Sequence, residues 1–333
     1  MTFTNQTSGD LTADRRAGYA RQYAEAGEHE AAADLIAQAL ELVPDHLPFL
    51  SLQGEWLEKA GRAAEAADIW RKMLRLDSED RFGAQLKLAN LGITETPDAP
   101  PAAYVESLFD DFAPRFEKSL VERLDYQAPQ ELATAIFAAL GDDKAIRHAV
   151  DLGCGTGLMG EHLRKAASYL EGIDLSAGML KIAAAKRIYD RLEKGDIAAI
   201  FPDSEASRAD LAVAADVYAY LGDLGSAFAL AARLLEPAGL FAFTVEAHDG
   251  AEDYAIQPSL RYAHSEGYLR RALAEAGFEI ARLDRVFLRM DGATRIEGYL
   301  VIARKAGAMP ATAPTVDGTD RADLQSEAGR ILH

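Results

Sequence analysis

Asp151-Leu152-Gly153-Cys154-Gly155-Thr156-Gly157 follows a short β-rich run and leads into a helical pattern. Glycine belongs where the backbone must turn sharply or approach a ligand too closely for a side chain. Loop glycines alone are common, but an acidic strand end followed by three alternating glycines is a narrower signal. Around this stretch, β-rich runs expected at 147–152, 169–175, 191–194, 209–215, 240–246, 279–288 and 294–304 alternate with helical runs at 158–167, 177–189, 224–235 and 265–276. The alternation describes an α/β fold, a doubly wound, mainly parallel sheet of seven strands covered on both faces. In such sheets ligands sit beyond the carboxyl ends of the strands, so motif residues should gather there.

Two readings of the turn compete. Gly155, Gly157 and Gly160 satisfy G-x-G-x-x-G, and Asp174 lies nineteen positions beyond Gly155, which would fit a dinucleotide and an NAD-dependent oxidoreductase. Asp151 argues against it: a carboxylate at the loop opposes a pyrophosphate, whereas it suits the cationic amino group of S-adenosylmethionine, reached directly or through water. Further acids follow the later strands. Asp174, in Gly172-Ile173-Asp174-Leu175-Ser176, ends the second, where a carboxylate can accept hydrogen bonds from both ribose hydroxyls. Asp196, in Gly195-Asp196-Ile197, follows the third and suits the adenine amino group, and Asp216 follows the fourth in Ala214-Ala215-Asp216-Val217. Leu235-Glu236-Pro237-Ala238-Gly239-Leu240 then turns into the fifth.

In this order of segments, residues 104–305 resemble the class I S-adenosylmethionine-dependent methyltransferases, most of all the bacterial ones with amino-terminal tetratricopeptide repeats. In that group a stretch like Tyr104-Val-Glu-Ser-Leu-Phe109-Asp-Asp-Phe112-Ala-Pro-Arg-Phe116 also precedes the glycine-rich loop. The resemblance assigns Asp151, Gly153, Gly155 and Gly157 to the methionine part of the cofactor, Asp174 to the ribose, Asp196 with Ile197 to the adenine, and counts Leu175 and Asp216 among the cofactor-binding residues. It sets Met179 against the adenine ring, though a Met on a helix face also serves as plain core. At Asp216-Val217-Tyr218-Ala219 the Asn/Asp-Pro-Pro-aromatic signature of enzymes that methylate amide or amino nitrogens is absent, which removes support for those substrates. Cys154 reads as a small loop residue rather than a nucleophile.

Methyl transfer from a sulfonium is a direct displacement, so positioning does most of the work and a base is needed only for a protonated acceptor. Candidates for the base are His264, which precedes a helix as a similar His-Ser element does in the resembling group, and His248 after the fifth strand. Tyr218 and Tyr220 are candidates for lining an acceptor pocket. Tyr104, Phe109 and Phe112 lie on an amphipathic segment that reads as a lid over the cofactor or as an ordinary packing helix.

Ahead of this half, a shift of 34 residues aligns Ala20 with Gly54, Tyr23 with Leu57, Gly27 with Gly61, Ala32 with Ala66, Ile36 with Trp70 and Pro44 with Ser78. That is the tetratricopeptide period, each unit a helix, a turn and a second helix. The expected layout is an unstructured start (1–12), a tetratricopeptide-like helical domain (13–95) with a capping helix at 80–91, a Pro-rich linker (96–103), the methyltransferase domain (104–305) and a mobile tail (306–333) with a short helix near 324–332. The repeat domain is expected to hold a protein partner or to self-associate.

Composition narrows the partners. Across 333 residues, 35 Lys+Arg against 53 Asp+Glu give a net charge of −18, a field that repels phosphate backbones and anionic lipid. Neither nucleic acid nor membrane is expected. A single cysteine and a start without a signal-peptide pattern point to a cytoplasmic, metal-free protein. The leading expectation is therefore methyl transfer to a small-molecule acceptor. The alternatives are a protein methyltransferase whose repeats grip the polypeptide, a non-catalytic scaffold that keeps the cofactor fold, and, more distantly, the oxidoreductase.

Overall fold

The computed structural model describes residues 7–118, 126–141, 145–198, 209–292 and 294–307. Helices α1 (Leu11–Glu25), α2 (His29–Leu40), α3 (Leu47–Lys59), α4 (Ala63–Leu76) and α5 (Ala84–Asn90) come first, each packed on the next. Asp10 caps α1 by accepting from the Thr12 and Ala13 amides, an interaction usually worth about 1 kcal/mol. The unstructured start expected through residue 12 is thus corrected: helix begins at Leu11, and residues 1–6 lie outside the described part.

The 34-residue spacing has physical content. Gly27 and Gly61 end α1 and α3 with φ of 82° and 76°, a left-handed conformation that costs glycine little. Ala20, Ala32, Ala66, Ile36 and Trp70 are all buried, and a Cβ on Gly54 would lie 2.4 Å from the Trp70 indole. Tyr23 departs from its counterpart, being 44% exposed where Leu57 is 3% exposed.

The Pro-rich stretch is no free linker. The Asp98 carbonyl accepts from the Gly222 and Asp223 amides at 2.8 Å, and the Pro97 carbonyl accepts from the Tyr262 hydroxyl at 2.9 Å. Helix α6 (Ala102–Phe112) follows, and then a 3-10 turn at Ala113–Arg115.

Beyond α7 (Ala128–Leu140) comes a nine-stranded sheet built of β1 (Ile146–Leu152), β2 (Ala167–Asp174), β3 (Arg191–Lys194), β4 (Ala209–Ala214), β5 (Leu235–Ala247), β6 (Tyr254–Ile256), β7 (Tyr262–His264), β8 (Phe278–Asp291) and β9 (Thr294–Lys305). The order is β3-β2-β1-β4-β5-β7-β6, parallel from β3 to β7, with β9 antiparallel on β5 and β8 on β9. Seven strands were expected; β6 and β7, three residues each, are too short for a periodic signal. The turn read at 235–240 is instead the start of β5, accommodated by a register shift against β4. Interleaved are α8 (Leu158–Leu163), α9 (Ala177–Lys186), α10 (Gly225–Leu234) and α11 (Glu266–Glu275).

Strand alternation splits the core. Val150, Leu152, Phe241, Phe243 and Val245 face α10 and α11, packing on Phe228 and Leu269. Their neighbours Ala149, Leu211, Leu240 and Ala242 face α7 and α8, packing on Leu132, Ile136 and Leu163. With both faces covered, the sheet edge at the carboxyl ends of the parallel strands is left as the place for a ligand. No helix among the described residues is long and apolar enough to cross a membrane. The tail from residue 308, including the helix expected near 324–332, lies outside the described residues.

Candidate active site

The glycine turn leaves β1 with Gly153, Gly155 and Gly157 at φ of 66°, 53° and 92°. Its glycines have different tasks. A Cβ on Gly153 would strike Val217 at 2.6 Å, whereas one on Gly155 would meet nothing nearer than Phe116 at 4.0 Å. Gly157 and Gly160 make room for a side chain, since their Cβ atoms would lie 3.0 and 2.3 Å from Tyr189. Helix α9 was expected to reach residue 189; it ends at Lys186 with Arg187 at φ 55°, and this frees Tyr189 to fill that space.

From there the Tyr189 hydroxyl donates to Asp151 Oδ2 at 2.6 Å. Asp151 is buried, 1% exposed. Burial pushes its carboxyl up to about 7, the Tyr189 hydrogen bond opposing and the nearby Asp174 adding to the rise. Sequence reading set Asp151 and Gly157 against the cofactor. In the structure both lie against Tyr189, and neither is among the residues lining the cavity at the strand ends. Cys154 is buried beside them, its thiol pushed up by that burial.

A cavity of about 450 Å³ opens at the strand ends, within the range of small-molecule sites. Gly153, Gly155, Asp174, Leu175, Met179, Asp196, Ile197 and Asp216 line it, together with Tyr104, Phe109 and Phe112 from α6. Asp174 Oδ2 accepts from the Gly155 amide at 2.8 Å and Oδ1 from the Ser176 amide at 2.8 Å. Burial raises its pKa against these bonds. Asp196 Oδ1 accepts from the Ala198 amide at 2.8 Å. Each carboxylate keeps further lone pairs for a ligand's hydroxyl or amino group. The Gly155 amide, which a diphosphate would need, already serves a carboxylate, so the residues present fit an adenosine with a cationic tail better than a dinucleotide.

Helix α6 covers the cavity. Asp110 accepts from Ser176 Oγ and from the Gly178 amide, 2.9 Å away, tying α6 to the first turn of α9. Phe109 packs edge-on to Tyr220 with centroids 4.9 Å apart. Tyr104, at the other end, is turned toward the front helices, filling space beside Gly83 that a Cβ would invade at 2.7 Å.

The bases proposed from sequence fall elsewhere. His264 is fully buried at the end of β7, its Nε2 donating to the Gly222 carbonyl at 3.0 Å, and burial lowers its pKa to about 4. Tyr218 is fully buried among Phe228, Phe241 and Phe243. Neither is among the residues that line the cavity. His248 stands 3.3 Å from Glu252, also off the lining.

Sequence reading missed Tyr126, Arg261 and Arg289, which line the chamber with Tyr220. Arg289, 1% exposed on β8, donates to Asp216 at 2.8 and 3.0 Å and to Glu246. Arg261 Nε donates to the Tyr220 hydroxyl at 3.1 Å. Partners so distant in sequence leave no local pattern.

The arrangement is that of the Rossmann-like methyltransferase fold. Residues 150–243 match the family model described as a methyltransferase domain. Over 149 residues the chain is 32% identical to malonyl-[acyl-carrier protein] O-methyltransferase of Pseudescherichia vulneris, covering 45% of this chain and 57% of that one. Over 99 residues it is 33% identical to 18S rRNA (guanine-N(7))-methyltransferase of Arabidopsis thaliana, covering 30% and 33%. The chain thus spans between a third and just over half the length of these relatives. The solved structure of the [4+2]-cyclase SpnF superposes with a TM-score of 0.52 at 18% identity, over 63% of this chain and 98% of that one, which speaks to fold alone.

Proposed function

We propose that the protein is an S-adenosylmethionine-dependent methyltransferase that methylates a small-molecule acceptor in the chamber under α6. The observation that carries this reading is the cavity of about 450 Å³ with Asp174 and Asp196 on its floor and Phe109 and Phe112 over it. S-adenosylmethionine, when bound, supplies a methyl group on a sulfonium whose carbon–sulfur electron pair leaves with the sulfur. In this reading Asp174 accepts the ribose hydroxyls and Asp196 holds the adenine amino group, with Leu175, Met179 and Ile197 packing on the base. Phe109 and Phe112 exclude water. Holding two reactants in line can be worth ~7–11 kcal/mol. Among the described residues lining the chamber there is no histidine or lysine, which favours an acceptor that arrives unprotonated.

The front helices are the second element of the proposal. The 34-residue spacing, the paired left-handed glycines and the Gly54–Trp70 fit support a tetratricopeptide-like domain that binds a protein partner or a second copy. The malonyl-[acyl-carrier protein] O-methyltransferases among the relatives favour one variant, in which the acceptor arrives on a carrier protein held by these helices.

Isothermal titration of the full chain with S-adenosylhomocysteine tests the reading. One site is expected, weakened at least tenfold by Asp174→Asn. A protein that binds NADH and not S-adenosylhomocysteine would overturn it.

A further inference from the structure

We propose that Arg261 is the acceptor's anchor, and that the molecule methylated in this chamber carries a carboxylate which Arg261 holds. The inference rests on the methyl-transfer reading and adds the chemical class of the acceptor.

The chamber is electrically divided by strand order. Asp174 and Asp196 stand at the ends of β2 and β3, on one side of the glycine turn of β1. Asp216, Tyr220 and Arg261 stand on the other side, after β4 and just before β7. A nucleoside held by the two acids therefore leaves the β4–β5–β7 side for the acceptor. On that side the two guanidiniums are in different states. Arg289 has both terminal nitrogens engaged, Nη1 on Asp216 and Nη2 on Glu246, while its Nε is buried and faces no hydrogen-bond partner among the described residues. Arg261 donates its Nε to the Tyr220 hydroxyl, with its guanidinium 5.7 Å from the Tyr220 ring centroid and the Asp216 and Glu246 carboxylates near enough to act on its charge. Its Nη1 and Nη2 have no hydrogen-bond partner among the described residues, and neither is among the side-chain atoms sealed from solvent without one.

The backbone fixes this side chain in place. The Gln257 amide donates to the Arg261 carbonyl at 2.8 Å, and the Leu260 amide to the Gln257 carbonyl at 2.8 Å, closing a tight turn in which Leu260 has φ 61°. A cation on a rigid turn, stacked on an aromatic ring and with a free pair of parallel N–H donors, matches a carboxylate's two oxygens. Such an acceptor is ionised at neutral pH, which agrees with a chamber lined by no histidine or lysine.

Ligand-observed NMR on the full chain saturated with S-adenosylhomocysteine tests this, with benzoate, hexanoate and succinate as probes beside their carboxamides. Wild type is expected to bind at least one acid roughly 10- to 100-fold more tightly than its amide. Arg261→Gln should erase that preference while keeping S-adenosylhomocysteine affinity; Arg261→Lys should keep part of it. Tyr220→Phe, which leaves the charge but frees its Nε, should weaken the preference by a smaller factor and serves if the glutamine variant does not fold. The proposal is overturned if none of the acids binds, if acids and amides bind alike, or if Arg261→Gln retains the preference. Succinate presented free or as its pantetheine monothioester distinguishes a soluble acceptor from a tethered one, and preference for either over its amide supports the anchor. Wild type that fails to bind S-adenosylhomocysteine removes the methyl-transfer reading itself, and the anchor with it.

Discussion

Replacing Asp151 by asparagine should stabilise the protein at alkaline pH and leave it nearly unchanged in acid. The folded carboxyl keeps its proton up to about pH 7, while an ordinary aspartate releases it near 3.8. Across that window the folded state binds more protons than the unfolded chain, so this group's contribution is fully present below 3.8 and is lost as pH rises through about 7. Each tenfold in proton affinity is worth about 1.36 kcal/mol, which makes the full loss roughly 4 kcal/mol, of which roughly 3 falls between pH 5 and pH 8. Asparagine is nearly isosteric, offers Tyr189 a carbonyl oxygen and does not titrate. The stability of Asp151→Asn relative to wild type should therefore rise by roughly 3 kcal/mol from pH 5 to pH 8. Urea unfolding followed by circular dichroism is the suitable assay, because both tryptophans, Trp56 and Trp70, lie in α3 and α4 and their fluorescence does not report on the sheet. A difference between variant and wild type that is the same at both pH values would refute the account of Asp151 as a buried, proton-retaining acid.

Other consequences can be checked in parallel. Arg289→Met leaves Asp216 and Glu246 without their shared cation and should cost about 3–5 kcal/mol at pH 8; protonation relieves unpaired acids, so chemical denaturation at pH 5 should give a smaller loss. Gly160→Ala puts a methyl 2.3 Å from the Tyr189 hydroxyl and should destabilise by about 1–3 kcal/mol, whereas Gly155→Ala, with open space before it, should cost about 1–2 kcal/mol from its φ alone; thermal melts of both variants give the comparison. Asp110→Ala removes the acceptor that ties α6 to α9, and S-adenosylhomocysteine affinity by calorimetry should fall about tenfold, with faster hydrogen exchange over 102–112. Asp174→Asn should weaken that ligand far more than Asp151→Asn does, since only Asp174 lines the chamber.

Much of the sheet was legible because its central strands are buried on both faces and the parallel strands β1 to β4 are followed closely by acids or glycines. The expected range of β3 agrees with the observed one, and β1, β2, β4, β8 and β9 differ by a residue or a few. What escaped was short or non-local. Strands β6 and β7 have no room for a period, and Glu236-Pro237-Ala238-Gly239, read as a turn, is drawn into β5 by its pairing with β4. The lining acids Asp174 and Asp196 could be read because each stands just beyond a strand. The burial of Asp151 was not legible, since it depends on Tyr189, which lies 38 positions away in a segment taken for helix. Arg289 and Arg261 carried no signal either: a lone arginine in or beside an exposed-looking strand becomes a chamber residue only when the sheet order brings its neighbours together.

The ring of Tyr104 lies in space left by Gly83, a residue of the helical front, while six positions further on the same helix bonds to α9 through Asp110. One helix thus belongs to both halves at once. Excising residues 126–307 as a stand-alone enzyme would discard Phe109 and Phe112 and leave the nucleoside floor open to water, and grafting on a foreign front would reset the angle at which they descend. The two halves are therefore not interchangeable cassettes.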